Sequence, residues 1–302
     1  MQTELTEKKR YKVILILLVG LAAFSTTMKD LNHLQEMVAG LQQFKNEWLG
    51  DGLTTVTAKN TSTAESWCAN EVSQRTASAA EFRWSGRVAP GMAIEIKGIN
   101  GDISAEPAAG TDVEVVAYKK SARSNPDQVS IKVIEHAGGV TICAIYPSED
   151  PDKPNTCEPD KGGQMSVRNN DVNVDFSVRV PFGVGFVGRT VNGEISASSL
   201  AGNVISHTVN GAIKISTSGY AQAKTVNGEI SAKIGDSNWP DSLEFKTVNG
   251  EISLDLPATT STEVRADTIN GEISSDFPLS MLGKITRKHL SGRIGNGGRS
   301  LV

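Results

Sequence analysis

One five-residue phrase, Val-Asn-Gly-Glu-Ile, recurs through the last third of this chain and restricts its fold more than any other feature. It stands at Val191–Ile195, returns as Val209-Asn210-Gly211-Ala212-Ile213, and continues at Val226–Ile230, Val248–Ile252 and Ile269–Ile273. A worn copy is Leu290-Ser291-Gly292-Arg293-Ile294, and an early outlier is Ile99-Asn100-Gly101-Asp102-Ile103. From Asn192 to Ser291 the steps between successive copies are 18, 17, 22, 21 and 21 residues. Such self-similarity marks stacked units, each burying its apolar face only against its neighbours.

Asn-Gly ordinarily signals a two-residue hairpin. A hairpin here would put Val191 across from Glu194 and Thr190 across from Ile195, mixing polar and apolar side chains on one face. A solenoid corner avoids the conflict, because the flanking Val and Ile then both face inward. Asn and Gly suit a corner because both tolerate positive φ. The expected corners are Asn100-Gly101, Asn192-Gly193, Asn210-Gly211, Asn227-Gly228, Asn249-Gly250 and Asn270-Gly271. Successive turns would pair at about 4.8 Å. The rival architecture is a β-sandwich of hairpins.

Composition agrees with short strands and tight turns. Of 302 residues, 29 are Gly and only 5% are aromatic. Period-two alternation begins near Phe82 and recurs at 93–97, 112–118, 130–134, 140–145 and 172–180. The sequence therefore predicts an all-β fold, a β-solenoid-like stack of short strands with repeats of about 20 residues. An N-terminal signal or anchor helix and a linker would precede it. The expected units are 1–28 as signal peptide or membrane anchor, 29–50 as a short helix, 51–80 as a disordered linker rich in Thr, Ser and Ala, and 81–302 as the repeat domain. Thirty basic against 34 acidic residues give a net charge of -4, which argues against nucleic acid as a partner.

Lys8, Lys9, Arg10 and Lys12 precede an uncharged run from Val13 to Met28. Its 16 residues are fewer than the ~20 that span a bilayer. A basic flank before a short apolar run fits a secretory signal, with small-residue cleavage sites at Leu21-Ala22-Ala23 and Ala23-Phe24-Ser25. Leu31, Leu34, Val38, Leu41 and Trp48 extend the pattern at heptad-like spacing and suit a retained anchor that leaves the membrane as a helix. Either reading exports the remainder of the chain.

The three cysteines fit an oxidising compartment. Cys143 and Cys157 flank a polar, Pro-rich loop, and a disulfide between them would contribute about 3 kcal/mol. Cys68 is left either as an exposed thiol or as an intermolecular bridge. His33, His136, His207 and His289 show no metal-ligand spacing, and neither metal nor cofactor is expected.

Gly183 to Gly188 matches G-x-G-x-x-G, but a strand-like segment and a corner follow it where a dinucleotide fold needs a helix. In stacked turns Glu194, Ala212, Glu229, Glu251, Glu272 and Arg293 form one column. Arg189, His207, Lys224, Lys246, Asp267 and Lys288 form a mostly basic one. The acidic column reads as a solvated surface, with a row of bound calcium as the alternative. Thr190, Thr208, Thr225, Thr247 and Thr268 read as a structural Thr ladder. Neither G-x-S-x-G nor H-E-x-x-H occurs. A glycan-processing site would need clustered carboxylates built once, whereas this Glu recurs turn after turn. The sequence therefore points to a protein that is not an enzyme.

The tandem T-V-N-G-E-I-S phrase resembles the bacterial putative-adhesin family of β-strand-repeat domains, related to the head domains of auto-transporter adhesins. The resemblance covers about Phe82 to Val302. It includes V-T-I-C-A-I-Y-P and N-T-C, which hold Cys143 and Cys157, and V-P-F-G-V before the first tight repeat. It implies an exported, non-enzymatic cell-envelope protein acting as an adhesin or surface-binding module. The partners implied are envelope or extracellular polysaccharide or protein, with membrane contact through residues 13–28 if these are retained. A structural or stress-sensing envelope role is the second implication. One further corner would be due after Val302, so 294–302 is expected to act as a cap unless the sequence stops early.

Overall fold

The computed structural model of the protein describes residues 10–17, 79–150, 152–159, 167, 169–236, 239–269, 271–281 and 286–302. The strands begin with β1 (Arg10–Leu17), β2 (Ala79–Gly86), β3 (Ala93–Lys97), β4 (Ile103–Pro107), β5 (Val113–Lys120), β6 (Ser130–His136) and β7 (Gly139–Ile145). Next come β8 (Asn173–Val180), β9 (Gly185–Arg189), β10 (Ile195–Leu200), β11 (Val204–His207), β12 (Ile213–Thr217), β13 (Ala221–Lys224) and β14 (Ile230–Ile234). The last are β15 (Phe245–Lys246), β16 (Ile252–Pro257), β17 (Thr262–Asp267), β18 (Gly271–Ser275), β19 (Leu279–Met281), β20 (His289–Ile294) and β21 (Ser300–Leu301).

These form a ten-stranded sheet in the order β18-β1-β16-β14-β12-β10-β4-β8-β5-β2 and a seven-stranded sheet in the order β15-β13-β11-β9-β3-β7-β6. A four-stranded sheet runs β19-β20-β17-β21. From β9 to β16 the chain winds as a two-sheet solenoid. Each turn lays one strand in the seven-stranded sheet, bends at Asn-Gly, and lays the next in the ten-stranded sheet. All successive pairings in this region are parallel.

Stacking in register follows from identical phrases meeting identical phrases. Ile103, Ile195, Ile213, Ile230 and Ile252 are consecutive register partners in the ten-stranded sheet. Ile94, Phe186, Val204 and Ala221 make the corresponding row in the other sheet. Both rows belong to one buried core. Burying each Ile removes enough apolar surface from water to favour folding by about 2–3 kcal/mol, so repetition replaces the large aromatic core the sequence lacks.

The early copy is no outlier. Asn100 bridges Asn192 in parallel, although 92 residues separate them. Thus β3, its corner and β4 form the first turn of the stack. β5 to β8 are inserted before the second, and β8 packs beside β4 while β5 and β2 close that end antiparallel.

At the other end, Ser300–Leu301 does not extend the stack beyond the last turn. It folds back beside β17, and Leu301 bridges Leu243. Of the uncharged run near the N-terminus only 13–17 lies within the described residues, and there the backbone is extended where the sequence reading expects a helix. Arg10–Leu17 is a strand, antiparallel to both β16 and β18. Val13, Ile14 and Ile16 are β-branched residues that favour extended backbone, and two sheet edges stand ready to pair with them. Among the described residues no helix is long and apolar enough to cross a membrane. The segments expected as a helix at 29–50 and a linker, with Cys68, lie outside the described residues except for Ala79 and Ala80, which already belong to β2.

Candidate functional site

The corners bring most of the sequence-predicted site residues together. Each Asn side chain donates from Nδ2 to the Oδ1 of the Asn one turn back. Asn192 donates to Asn100, Asn210 to Asn192 and Asn227 to Asn210, each at 2.8 Å, and Asn249 donates to Asn227 at 2.6 Å. Backbone bonds alternate with this amide ladder, such as Gly211 N–H to the Asn227 carbonyl at 2.9 Å. Asn270 lies outside the described residues, and Gly271 opens β18.

The glycines serve a purpose the sequence reading missed. Gly101 has φ 121°, but Gly193, Gly211, Gly228 and Gly250 do not adopt positive φ. Close stacking excludes a side chain instead. A Cβ on Gly211 would lie 1.9 Å from the Gly193 carbonyl oxygen, and one on Gly228 would lie 2.0 Å from that of Gly211. Beside each corner a Thr hydroxyl donates to the glycine carbonyl one turn back. Thr190 reaches Gly101, Thr208 Gly193, Thr225 Gly211 and Thr247 Gly228, at 3.2, 3.0, 3.1 and 2.9 Å.

In the acidic column one glutamate is neutralised by a neighbouring turn. Glu194 is paired with Lys214 at 3.0 Å, and that contact raises the lysine's pKa. Glu194, Ala212, Glu229 and Glu251 follow one another up the stack, but β1 lies between Glu251 and Glu272. Among the described residues no group of three or more His, Cys, Asp or Glu is placed to hold a metal ion.

The outward face of the ten-stranded sheet carries a polar row absent from the sequence reading. Ser177, Ser104, Ser196, Lys214, Ser231 and Ser253 are consecutive register partners. They are exposed or half-buried. The row follows from the Ile-Ser dipeptide after most corners, which puts Ile inward and its neighbour outward.

The basic column joins a buried ion network. Lys97, Arg189, His207, Lys224 and Lys246 align across β3, β9, β11, β13 and β15. Asp267 leaves this column, because β17 belongs to the four-stranded sheet. Glu95, only 4% exposed, accepts from Arg189 Nε at 2.9 Å and Thr141 Oγ1 at 2.9 Å, and lies 3.3 Å from Lys97 Nζ. His136 completes the chain. Its Nδ1 accepts from Gly138 N–H, so Nε2 carries the proton that it donates to Thr141. Lys97 also donates to the Glu158 carbonyl. That ties the network to the loop closed by the Cys143–Cys157 disulfide, whose Cα atoms are 5.9 Å apart. His207 Nδ1 lies 2.7 Å from Arg189 Nη1. Burial, then the Arg189 and Lys224 charges, push the pKa of His207 down to about 3, so it is neutral at pH 7.

Sequence reasoning found the basic column at a fixed offset from the corners but missed Glu95 and Lys97. In Ala93-Ile94-Glu95-Ile96-Lys97 both look like outward, solvated positions. The loop reaches Lys97 through the Glu158 carbonyl, Arg189 and Thr141 close on Glu95, and nothing in the local sequence marks either. The Gly183–Gly188 run leads into strand β9, which suits the structural reading and not a dinucleotide site.

A family model described as Toastrack DUF4097 matches residues 94–301. No curated protein matches the chain. Among solved structures, a putative cell adhesion protein from Clostridium sporogenes is 10% identical, with 74% of this chain and 92% of that one covered and a TM-score of 0.28. A putative adhesin from Bacteroides fragilis is 11% identical, with 57% and 96% covered and a TM-score of 0.23.

Proposed function

The chain belongs to the Toastrack DUF4097 family, and from that premise we propose that it is an exported, non-enzymatic protein of the cell envelope that binds an extended polymer. The polymer is a polysaccharide or an extended protein of the envelope or its surroundings, and the role is adhesion. The outward row Ser177, Ser104, Ser196, Lys214, Ser231 and Ser253 carries this reading. Such a row offers a hydroxyl or ammonium about every 4.8 Å. Single contacts of this kind are weak, and repetition along one ligand supplies affinity. Export rests on the basic flank preceding the uncharged run at Val13–Met28.

The test is a pull-down of the purified full chain against whole cells, envelope fragments and a panel of polysaccharides. Saturable binding displaced by a soluble competitor supports the reading, and the double variant Ser196→Glu/Ser231→Glu should weaken it at least tenfold. No binding at high micromolar protein would overturn it in favour of a structural or stress-sensing envelope component acting through the N-terminal segment.

A further inference from the structure

We propose that the interval between the fifth and sixth turns is a strand-accepting site, that its ligand is the apolar segment Arg10–Leu17 of the same chain, and that occupancy excludes this segment from a bilayer. The inference rests on the geometry of that interval and on the N-terminal sequence, and not on polymer binding.

The site is built by the other end of the chain. In the earlier turns consecutive strands stack directly. After β15, Ser300–Leu301 stands in the next position and pairs with β17. This wedge is well held. Leu243 N–H donates to the Ser300 carbonyl at 3.0 Å, Val302 N–H to Leu243 at 2.9 Å, and Phe245 N–H to Val302 at 2.8 Å. The buried Trp239 ring donates from Nε1 to Ser300 at 3.3 Å.

A wedge one strand wide on one side of a two-sheet turn leaves a slot of equal width on the other. β16 and β18 are therefore two strand spacings apart, about 10 Å. Each presents a row of backbone donors and acceptors to the gap, and such rows need a partner. Ile252, Leu254 and Leu256 of β16 belong to the buried core beside it.

β1 fills the slot. Its register sets Tyr11, Val13 and Leu15 opposite Leu256, Leu254 and Ile252, and Lys12 opposite Asp255. On its other edge Leu15 lies opposite Ile273 and Ile14 opposite Ser274. The ladder independently records the separation. Thr268 is the next member of the Thr column, but its buried hydroxyl has no hydrogen-bond partner among the described residues. The 61 residues between Leu17 and Ala79 have a contour length of about 200 Å, so chain length allows the segment to reach the slot in cis. The ligand class is an extended segment with apolar residues at alternate positions, recognised by strand addition. Residues 13–17 belong both to β1 and to the uncharged run Val13–Met28. One copy therefore cannot occupy the slot and enter a membrane together.

The test uses the full chain with Cys68→Ser. Ile14→Cys with Ser253→Cys places thiols on register partners. Ser253→Cys with Ser274→Cys places them on either side of β1, too far apart to bridge. In soluble chain the first pair should oxidise to an intramolecular disulfide and the second should not. In chain inserted into vesicles of phosphatidylethanolamine and phosphatidylglycerol, the first bridge should fall at least tenfold. Three results would each overturn the proposal: ready oxidation of the Ser253/Ser274 pair in soluble chain, first-pair bridges only between chains, or equal bridging in soluble and inserted chain.

A second measurement guards against misfolding. Full chain carrying Val13→Asp, Leu15→Asp, Cys68→Ser and Ser253→Cys is mixed with a synthetic Arg10–Leu17 peptide bearing Ile14→Cys. Saturable cross-linking that intact Arg10–Leu17 peptide suppresses is expected. No cross-linking, while the Cys143–Cys157 bridge is intact, rejects a strand-accepting site.

Discussion

The first five turns and the interval after them are built from the same phrase, yet they are held together differently. In the first five turns each corner stacks on the one before, through an Asn amide ladder, a Thr hydroxyl at the preceding glycine carbonyl, and backbone contact too close for a Cβ. After the fifth turn both chain ends intervene, with β21 on one side and β1 on the other. A repeated phrase therefore encodes a capacity to stack. Stacking is realised only where nothing else competes for the strand edge.

The glycines offer the sharpest way to break this comparison. Gly211 and Gly292 occupy the same position of the phrase. A Cβ on Gly211 would meet the Gly193 carbonyl oxygen at 1.9 Å, whereas one on Gly292 would meet nothing nearer than 3.5 Å. Gly211→Ala must push two turns apart and should cost about 4 kcal/mol or more, the range reserved for severe steric or packing faults. Gly292→Ala should change stability by less than about 1 kcal/mol. Urea unfolding of the two variants measures both, and equal losses would mean that the worn copy also stacks corner on corner.

The early end of the stack has its own fastening. Reducing the Cys143–Cys157 bridge frees a loop of about 15 residues and should cost about 3 kcal/mol. The chain next to the bridge holds Lys97 through the Glu158 carbonyl, so Cys157→Ser should also loosen that ion network. Its stability should then become more sensitive to salt than that of the intact protein, because exposed pairs are screened. Chemical denaturation at low and high ionic strength reads both effects.

Acid should weaken the stack through His207. Its pKa is held at about 3 in the folded chain against 6.5 for the free side chain. The unfolded chain therefore binds the extra proton first as pH falls. Stability is unaffected above about pH 6.5 and declines progressively between about 6.5 and 3. The full shift corresponds to about 5 kcal/mol, but the ring is only partly buried, so a loss of about 2 kcal/mol is expected. His207→Gln should flatten that part of the pH–stability profile, and an unchanged slope would assign acid sensitivity elsewhere.

How much of this was legible varies with range. Val-Asn-Gly-Glu-Ile at near-fixed steps announced the turns from Asn192 onward, because neighbours in sequence are neighbours in space. The first turn was hidden, since the insertion of β5 to β8 breaks the period between Asn100 and Asn192. The fate of the two ends was hidden too. Whether Val13–Leu17 is helix or strand depends on an edge at β16, more than 230 residues away, and local propensity carries no record of it. Glu95 and Lys97 read as solvated because alternation reports which face a residue is on, not whether a loop returns to cover that face.

The smallest expected effect isolates the comparison most cleanly. Thr225 and Thr268 hold the same place in the phrase, and both are buried. Thr225 donates to Gly211 at 3.1 Å, while the Thr268 hydroxyl has no partner among the described residues. Replacing either by Val keeps the shape and removes only the hydroxyl. Thr225→Val should cost about 1 kcal/mol, because a hydrogen bond is lost and the Gly211 carbonyl loses a donor. Thr268→Val should be neutral or stabilising by up to about 1 kcal/mol, because it removes a buried polar group that gains nothing in return. If Thr268→Val instead destabilises as much as Thr225→Val, the Thr268 hydroxyl is bonded in solution. The sixth turn would then stack directly on the fifth, as the earlier turns do.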